Sequence, residues 1–175
     1  MKMCDAHTVR SAVLIVLVIW CTVSDLRTGR IPNKVLAAGI VAAFFLTAAA
    51  GGAAALKGML AGSCFPMILF PLFCLRMIGA GDIKLLCMAG AFLGWPASAR
   101  CVVLSFFAGA VISLVLMYLR GNFFSRMFRL KVYVKECLQS GRMQPYLRDE
   151  DRDGRFCFSA AILAGILICL AGIRF

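Results

Sequence analysis

Apolar stretches follow one another along almost the whole chain, at residues 11–24, 35–50, 56–75, 83–95, 101–119 and 156–173. A helix needs roughly 20 apolar residues to cross the hydrocarbon of a bilayer. Inside lipid the backbone must satisfy its own hydrogen bonds, which restricts such segments to helices or closed barrels. The first, second and fourth stretches are short by that measure. They must borrow flanking residues, or start and stop within protein rather than at lipid. The connections leave no room for a soluble domain, and a mean hydropathy of +0.92 is far from that of a soluble globule. The expected fold is therefore all-α: a polytopic membrane protein of about six transmembrane helices, with residues 1–175 forming a single integral-membrane domain.

The formal net charge of +11 would suit a nucleic-acid partner if the cations were clustered without regard to topology. They are instead sorted by it. Segments 25–34, 76–84 and 120–155 carry 14 of the 19 Lys and Arg residues; Lys2, Arg10, Lys57, Arg100 and Arg174 lie on the other side of the segmentation. The positive-inside rule then places the N-terminus outside and the three basic segments in the cytoplasm. Topology accounts for the charge, and no nucleic-acid partner is expected.

Other motifs carry less. The first apolar stretch lacks an A-x-A cleavage site and has its heavier positive flank after the core, so it reads as a retained helix rather than a signal peptide. The nine cysteines are scattered, with no C-x-x-C and most inside apolar runs, where Cys behaves as a small hydrophobe. In 120–155, Phe123, Met127, Leu130, Val134 and Leu138 recur at helical spacing among Arg126, Arg129, Lys131 and Lys135. This fits either an amphipathic helix on anionic lipid or an ordinary solvated connector. Asp149 to Gly154 (DEDRDG) opens like a calcium loop, but the twelfth position, where a bidentate Glu belongs, is Ala160. It reads as a solvated charge cluster.

Of the eight acids, Asp5 is in the N-terminal tail and five are in the long basic segment. Only Asp25 and Asp82 abut apolar stretches, and the topology puts both at the cytoplasmic face. Their surroundings match: Asp25-Leu26-Arg27 and Asp82-Ile83-Lys84. Three readings are open for them. They are interface acids paired with Arg27 or Lys84, members of a proton relay, or a catalytic pair. Two carboxylates a few ångströms apart cannot both ionise comfortably, and share a proton. One then draws a proton from an attacking water while the other donates to the oxygen that gains charge. The sole histidine is His7, and there is no His/Cys cluster, so neither a metal nor a serine–histidine mechanism is expected. No cofactor is expected either. Helix-dipole arguments alone make Asp82, at a helix N-terminus, the resting base and Asp25, at a C-terminus, the resting acid.

The segments SDLRTGRIPNKV (24–35) and GAGDIKLL (79–86), in this order and with a helix pair between them, resemble the two motifs of the type IV prepilin peptidase family, integral-membrane aspartyl proteases with a G-x-G-D motif. The small size resembles stand-alone members that serve tight-adherence pili. The resemblance implies that Asp25 and Asp82 are the catalytic aspartates, that Gly79 and Gly81 are the motif glycines, and that Lys84 is the cation that follows. Pro32 and Asn33 match the I-P-N element, where Pro disfavours continued helix and separates two helices; Arg27 belongs to the first motif. The implied substrate is a prepilin or pseudopilin in a bacterial or archaeal cytoplasmic membrane. Its short basic leader is cleaved on the cytoplasmic side, ahead of an apolar helix that stays in the bilayer. Larger members also N-methylate the new amino terminus and carry a domain with paired C-x-x-C, absent from this sequence, so peptidase activity without methyl transfer is expected. The alternatives are a small proton-coupled transporter, which needs polar groups strung across the membrane, and a non-catalytic pilus-assembly scaffold, which is indifferent to loss of either acid.

Overall fold

A computed structural model describes residues 2–75, 77–119 and 157–173. The basic segment 120–155, with its amphipathic stretch and its DEDRDG cluster, lies outside the described residues. These contain helices and no strand: α1 (Lys2–Thr28), α2 (Asn33–Cys64), a 3-10 turn (Phe65–Leu69), α3 (Phe70–Cys74), α4 (Ala80–Leu93), α5 (Ala97–Leu119) and α6 (Phe158–Ile173). Three helical segments are long and apolar enough to cross a membrane, Thr8–Thr28, Gly51–Cys74 and Ala97–Leu116, and two more, Asn33–Ala49 and Phe158–Gly172, are apolar but shorter. The protein is an all-α, multi-pass membrane protein.

The boundaries differ from the sequence reading where glycine and proline intervene. α2 breaks at Gly52, whose φ of 59° and ψ of −154° lie outside helical space in a region that favours glycine. The break falls in the gap expected between the second and third apolar stretches. The third stretch is not one helix. Pro66 and Pro71 each lack an amide donor, and the chain passes through the 3-10 turn into the short α3.

The packing explains the short fourth stretch. α4 has 14 residues, a length of about 21 Å at 1.5 Å per residue, against roughly 30 Å of hydrocarbon. It does not face lipid as an ordinary span would. Ile83, Leu85, Leu86, Met88, Ala89, Gly90, Ala91 and Phe92 are all buried, which makes α4 the axis of the bundle. The first half of α2 runs parallel to it, with Asn33 beside Lys84 and Gly39 against Met88. The second half runs back, with Gly62 against Gly90 and the Gly58 carbonyl accepting from the Trp95 N–H at 3.1 Å. At the same end, Arg10 of α1 donates from Nη2 to the Phe92 carbonyl at 2.6 Å, capping α4 with a cation where its dipole is negative. α5 and α6 pack antiparallel, with Gly165 against Ser105 and Gly109 against Phe158.

The close approach of α2 to α4 depends on two small-x-x-x-small patterns, Gly58–Gly62 and Gly90–Gly94, which meet each other. A Cβ on Gly90 would collide with the Gly62 carbonyl, and the Ser98 hydroxyl already donates to that carbonyl at 2.7 Å. Nothing lies within 4 Å of a Cβ built on Gly58. Gly90→Val is therefore expected to cost about 3 kcal/mol or more and to abolish the monodisperse peak in detergent size-exclusion chromatography. Gly58→Ala, in the same pattern, leaves that peak intact.

Candidate active site

Three buried stripes end in polar residues at one end of the bundle. On α1, Leu14, Val18, Cys21 and Thr22 are buried at helical spacing, and the next position on that face is Asp25. On α4 the stripe of Leu85, Leu86 and Ala89 begins one turn earlier with Asp82. On α6, Ile162, Ile166 and Cys169 follow Ser159 in the same way. Each helix thus buries an apolar face and presents one polar group where that face runs out.

The two sequence motifs are stitched together there. α1 ends in a left-handed Gly29, φ 62°, whose N–H donates to the Asp25 carbonyl at 2.8 Å. Pro32 then takes the N-cap position of α2 in extended backbone, which is the helix-separating role expected of the I-P-N element. Ile31 packs on Gly81, where a Cβ would stand 3.3 Å from the Ile31 Cδ1. The Lys84 ammonium donates to Asn33 Oδ1 at 3.1 Å, across the surface of the same junction. Lys84 therefore supports the I-P-N element rather than pairing with an acid. Arg27 is exposed, and among the described residues neither cation forms an ion pair with Asp25 or Asp82.

The G-x-G-D spacing has a local reason. Gly79 is the N-cap of α4 and Asp82 its third residue, so the Asp82 carboxylate turns back and accepts from the Gly79 N–H, as in half of a capping box. A Cβ on Gly79 would stand 3.0 Å from Asp82 Oδ2, inside the space that carboxylate uses. The first glycine leaves room for the acid, and the second leaves room for Ile31.

Asp25 and Asp82 lie close enough for the charge of one to act on the other. Asp82 sits ahead of the apolar run that starts at Ile83. Burial, and then the negative charge of Asp25, push its carboxyl up to about 6, against the opposing pull of the Gly79 N–H. At Asp82, desolvation outweighs the N-terminus of α4, which alone would favour the charged form.

Sequence reasoning assigned no site residue on the last helix, yet α6 supplies the third wall. Ser159 donates from Oγ to Asp25 Oδ2 at 2.6 Å, and the Cys157 thiol donates to the same carboxylate. Thr22 of α1 donates in return to the Ser159 carbonyl at 3.4 Å. The burial stripe of α6, extended back one turn, is the signal that would have found Ser159.

The fold and the site together define an all-α membrane protein with two acids at one end of its bundle, near enough for the charge of one to act on the other. The sequence model of the type IV leader peptidase family matches residues 12–114, more than half of the chain, and the chain belongs to that family. Two similar proteins, both named prepilin leader peptidase/N-methyltransferase, come from Burkholderia pseudomallei strains 1026b and K96243. Each is 37% identical over 99 residues, covering 52% of this chain and 32% of the relative. The chain thus spans about a third of the length of these relatives. No solved structure matches it significantly.

The raised Asp82 carboxyl has a consequence for stability. Its ordinary value is 3.8, and in the folded protein it holds a proton up to about pH 6. Between those values the folded state binds more protons than the unfolded one, so acidification through pH 6 favours the fold. The melting temperature of the wild type in detergent, relative to Asp82→Asn, is expected to rise between pH 7 and pH 5. A difference that stays flat with pH would contradict the burial of this acid.

Proposed function

We propose that the chain is a membrane aspartyl endopeptidase that removes the basic leader from prepilin-like substrates. The observation that carries this reading is that Asp25 and Asp82, on the two motifs that the family resemblance singled out, stand near enough at one end of the bundle for the charge of one to act on the other. Asp25, as general base, takes a proton from a water as that water attacks the scissile carbonyl. Asp82, whose carboxyl burial pushes up to about 6, acts as general acid and donates its proton to the carbonyl oxygen as that oxygen gains charge. Collapse of the tetrahedral intermediate returns a proton to the leaving amine, and the pair regains its single proton. Gly79, Gly81, Ile31, Asn33 and Lys84 hold the two helix ends in register.

Charge distribution supports a site on the cytoplasmic side, in a bacterial or archaeal cytoplasmic membrane, because the motif-bearing segments 25–34 and 76–84 are basic. A substrate with a basic leader and an apolar helix can leave that helix in the bilayer and offer the leader junction at this end. Anionic lipid is the expected neighbour of the basic segment 120–155. Hydrolysis is the chemistry assigned to these residues; the similar proteins also carry N-methyltransferase in their names.

The proton-coupled transporter is the weaker reading. From Asp82 toward the far end, α4 buries Leu85, Leu86, Met88, Ala89 and Phe92, with no titratable group among them to carry a proton onward. Co-expression with a prepilin-like substrate separates the readings, the scaffold included. Asp25→Asn and Asp82→Asn are each expected to lower the rate of leader cleavage about a hundredfold or more at unchanged protein level, as read by the mass of the product. Cleavage that persists in either variant would exclude the pair mechanism.

A further inference from the structure

The peptidase reading leaves unexplained why α6 places a hydroxyl and a thiol on one of the two acids. Ser159 is fully buried, and its hydroxyl donates to Asp25 Oδ2 at 2.6 Å, a short O–H···O distance. The bond is one of a reciprocal pair, since Thr22, one turn before Asp25 on the same face of α1, donates to the Ser159 carbonyl. Together the two bonds fix the end of α1 to the start of α6. Ser159 also lies outside residues 12–114, so the part of the chain that carries the family's match does not include it.

We propose that Ser159 is a positioning residue for the peptidase reaction: its hydroxyl holds one oxygen of Asp25, which leaves the other oxygen to face the attacking water. A carboxylate at a helix end can rotate about χ2, and a base must keep its lone pair within hydrogen-bond reach of the water it deprotonates. Anchoring Oδ2 removes that freedom. The hydroxyl makes its bond to Asp25 and not to the substrate, so its loss affects the chemical step and leaves binding alone. The thiol of Cys157 is a weaker donor to the same carboxylate, so the loss is partial.

The test rests on the peptidase reading and uses the full chain, purified in detergent with a prepilin-like substrate. Ser159→Ala and Ser159→Val are expected to lower kcat about tenfold to a hundredfold, with KM within about twofold of the wild type. Ser159→Thr, the same shape as Val but with the hydroxyl kept, is expected to retain kcat within about threefold. A merely structural role would move Thr and Val together, or would lower the yield of folded protein instead of kcat. Wild-type kcat in Ser159→Ala, equal losses in Thr and Val, or an effect on KM alone would each overturn the proposal. Where the larger side chains do not fit this buried site, Ser159→Ala decides through the split between kcat and KM. Absence of cleavage by the wild type would remove the peptidase reading itself, and this inference with it. Cleavage by the wild type with none by Asp25→Asn keeps that reading whatever Ser159 does.

Discussion

The backbone contact between Gly62 and Gly90 is the constraint on which the rest of the molecule depends. It lets the second half of α2 lie directly against α4, so that a helix of only 14 residues is enclosed by its neighbours and never has to span the hydrocarbon alone. A central helix that short must begin near the surface of the bundle. Its first turn is consequently the place where a carboxylate can be half-buried and still be reached by water. The Arg10 cap at the far end serves the same seating, by satisfying a carbonyl of α4 that has no partner within its own helix.

The chemistry follows from where the charges are left. In a low-dielectric bundle an isolated carboxylate is costly, and two adjacent ones more so. Among the described residues, neither Arg27 nor Lys84 forms an ion pair with either acid, and Lys84 donates to Asn33 instead. Neutral donors meet the acids instead: the Gly79 amide at Asp82, and the Ser159 hydroxyl and Cys157 thiol at Asp25. An ion pair at either acid would quench its proton chemistry. Neutral donors fix the carboxylates without doing so.

Much of this was legible in the sequence, for physical reasons that differ by element. The helical class and the breaks near Gly51–Gly52 and at Ile31-Pro32 follow from hydropathy and from residues that cannot continue a helix. Asp25 and Asp82 stood out because acids beside apolar runs are rare and these two had matching surroundings. The 3-10 turn at Phe65–Leu69 was not foreseen, because length and hydropathy alone made 56–75 look like one span. The partner of Lys84 and the role of Ser159 depend on contacts between residues 51 and 134 positions apart in the chain, which a one-dimensional pattern does not carry. The raised Asp82 carboxyl was not legible because helix dipoles can be inferred from sequence, whereas burial, the larger effect at Asp82, cannot.

The paired site requires that the charge of Asp25 act on the titration of Asp82. Infrared difference spectroscopy of the protein in lipid, titrated from pH 8 to pH 4, reads the carboxylic-acid carbonyl band directly. A band is expected to grow in with a midpoint near pH 6, to disappear in Asp82→Asn, and to move to lower pH in Asp25→Asn, where the neighbouring charge is gone. A midpoint that Asp25→Asn leaves unchanged would mean that the two acids do not act on each other, and would contradict the paired site.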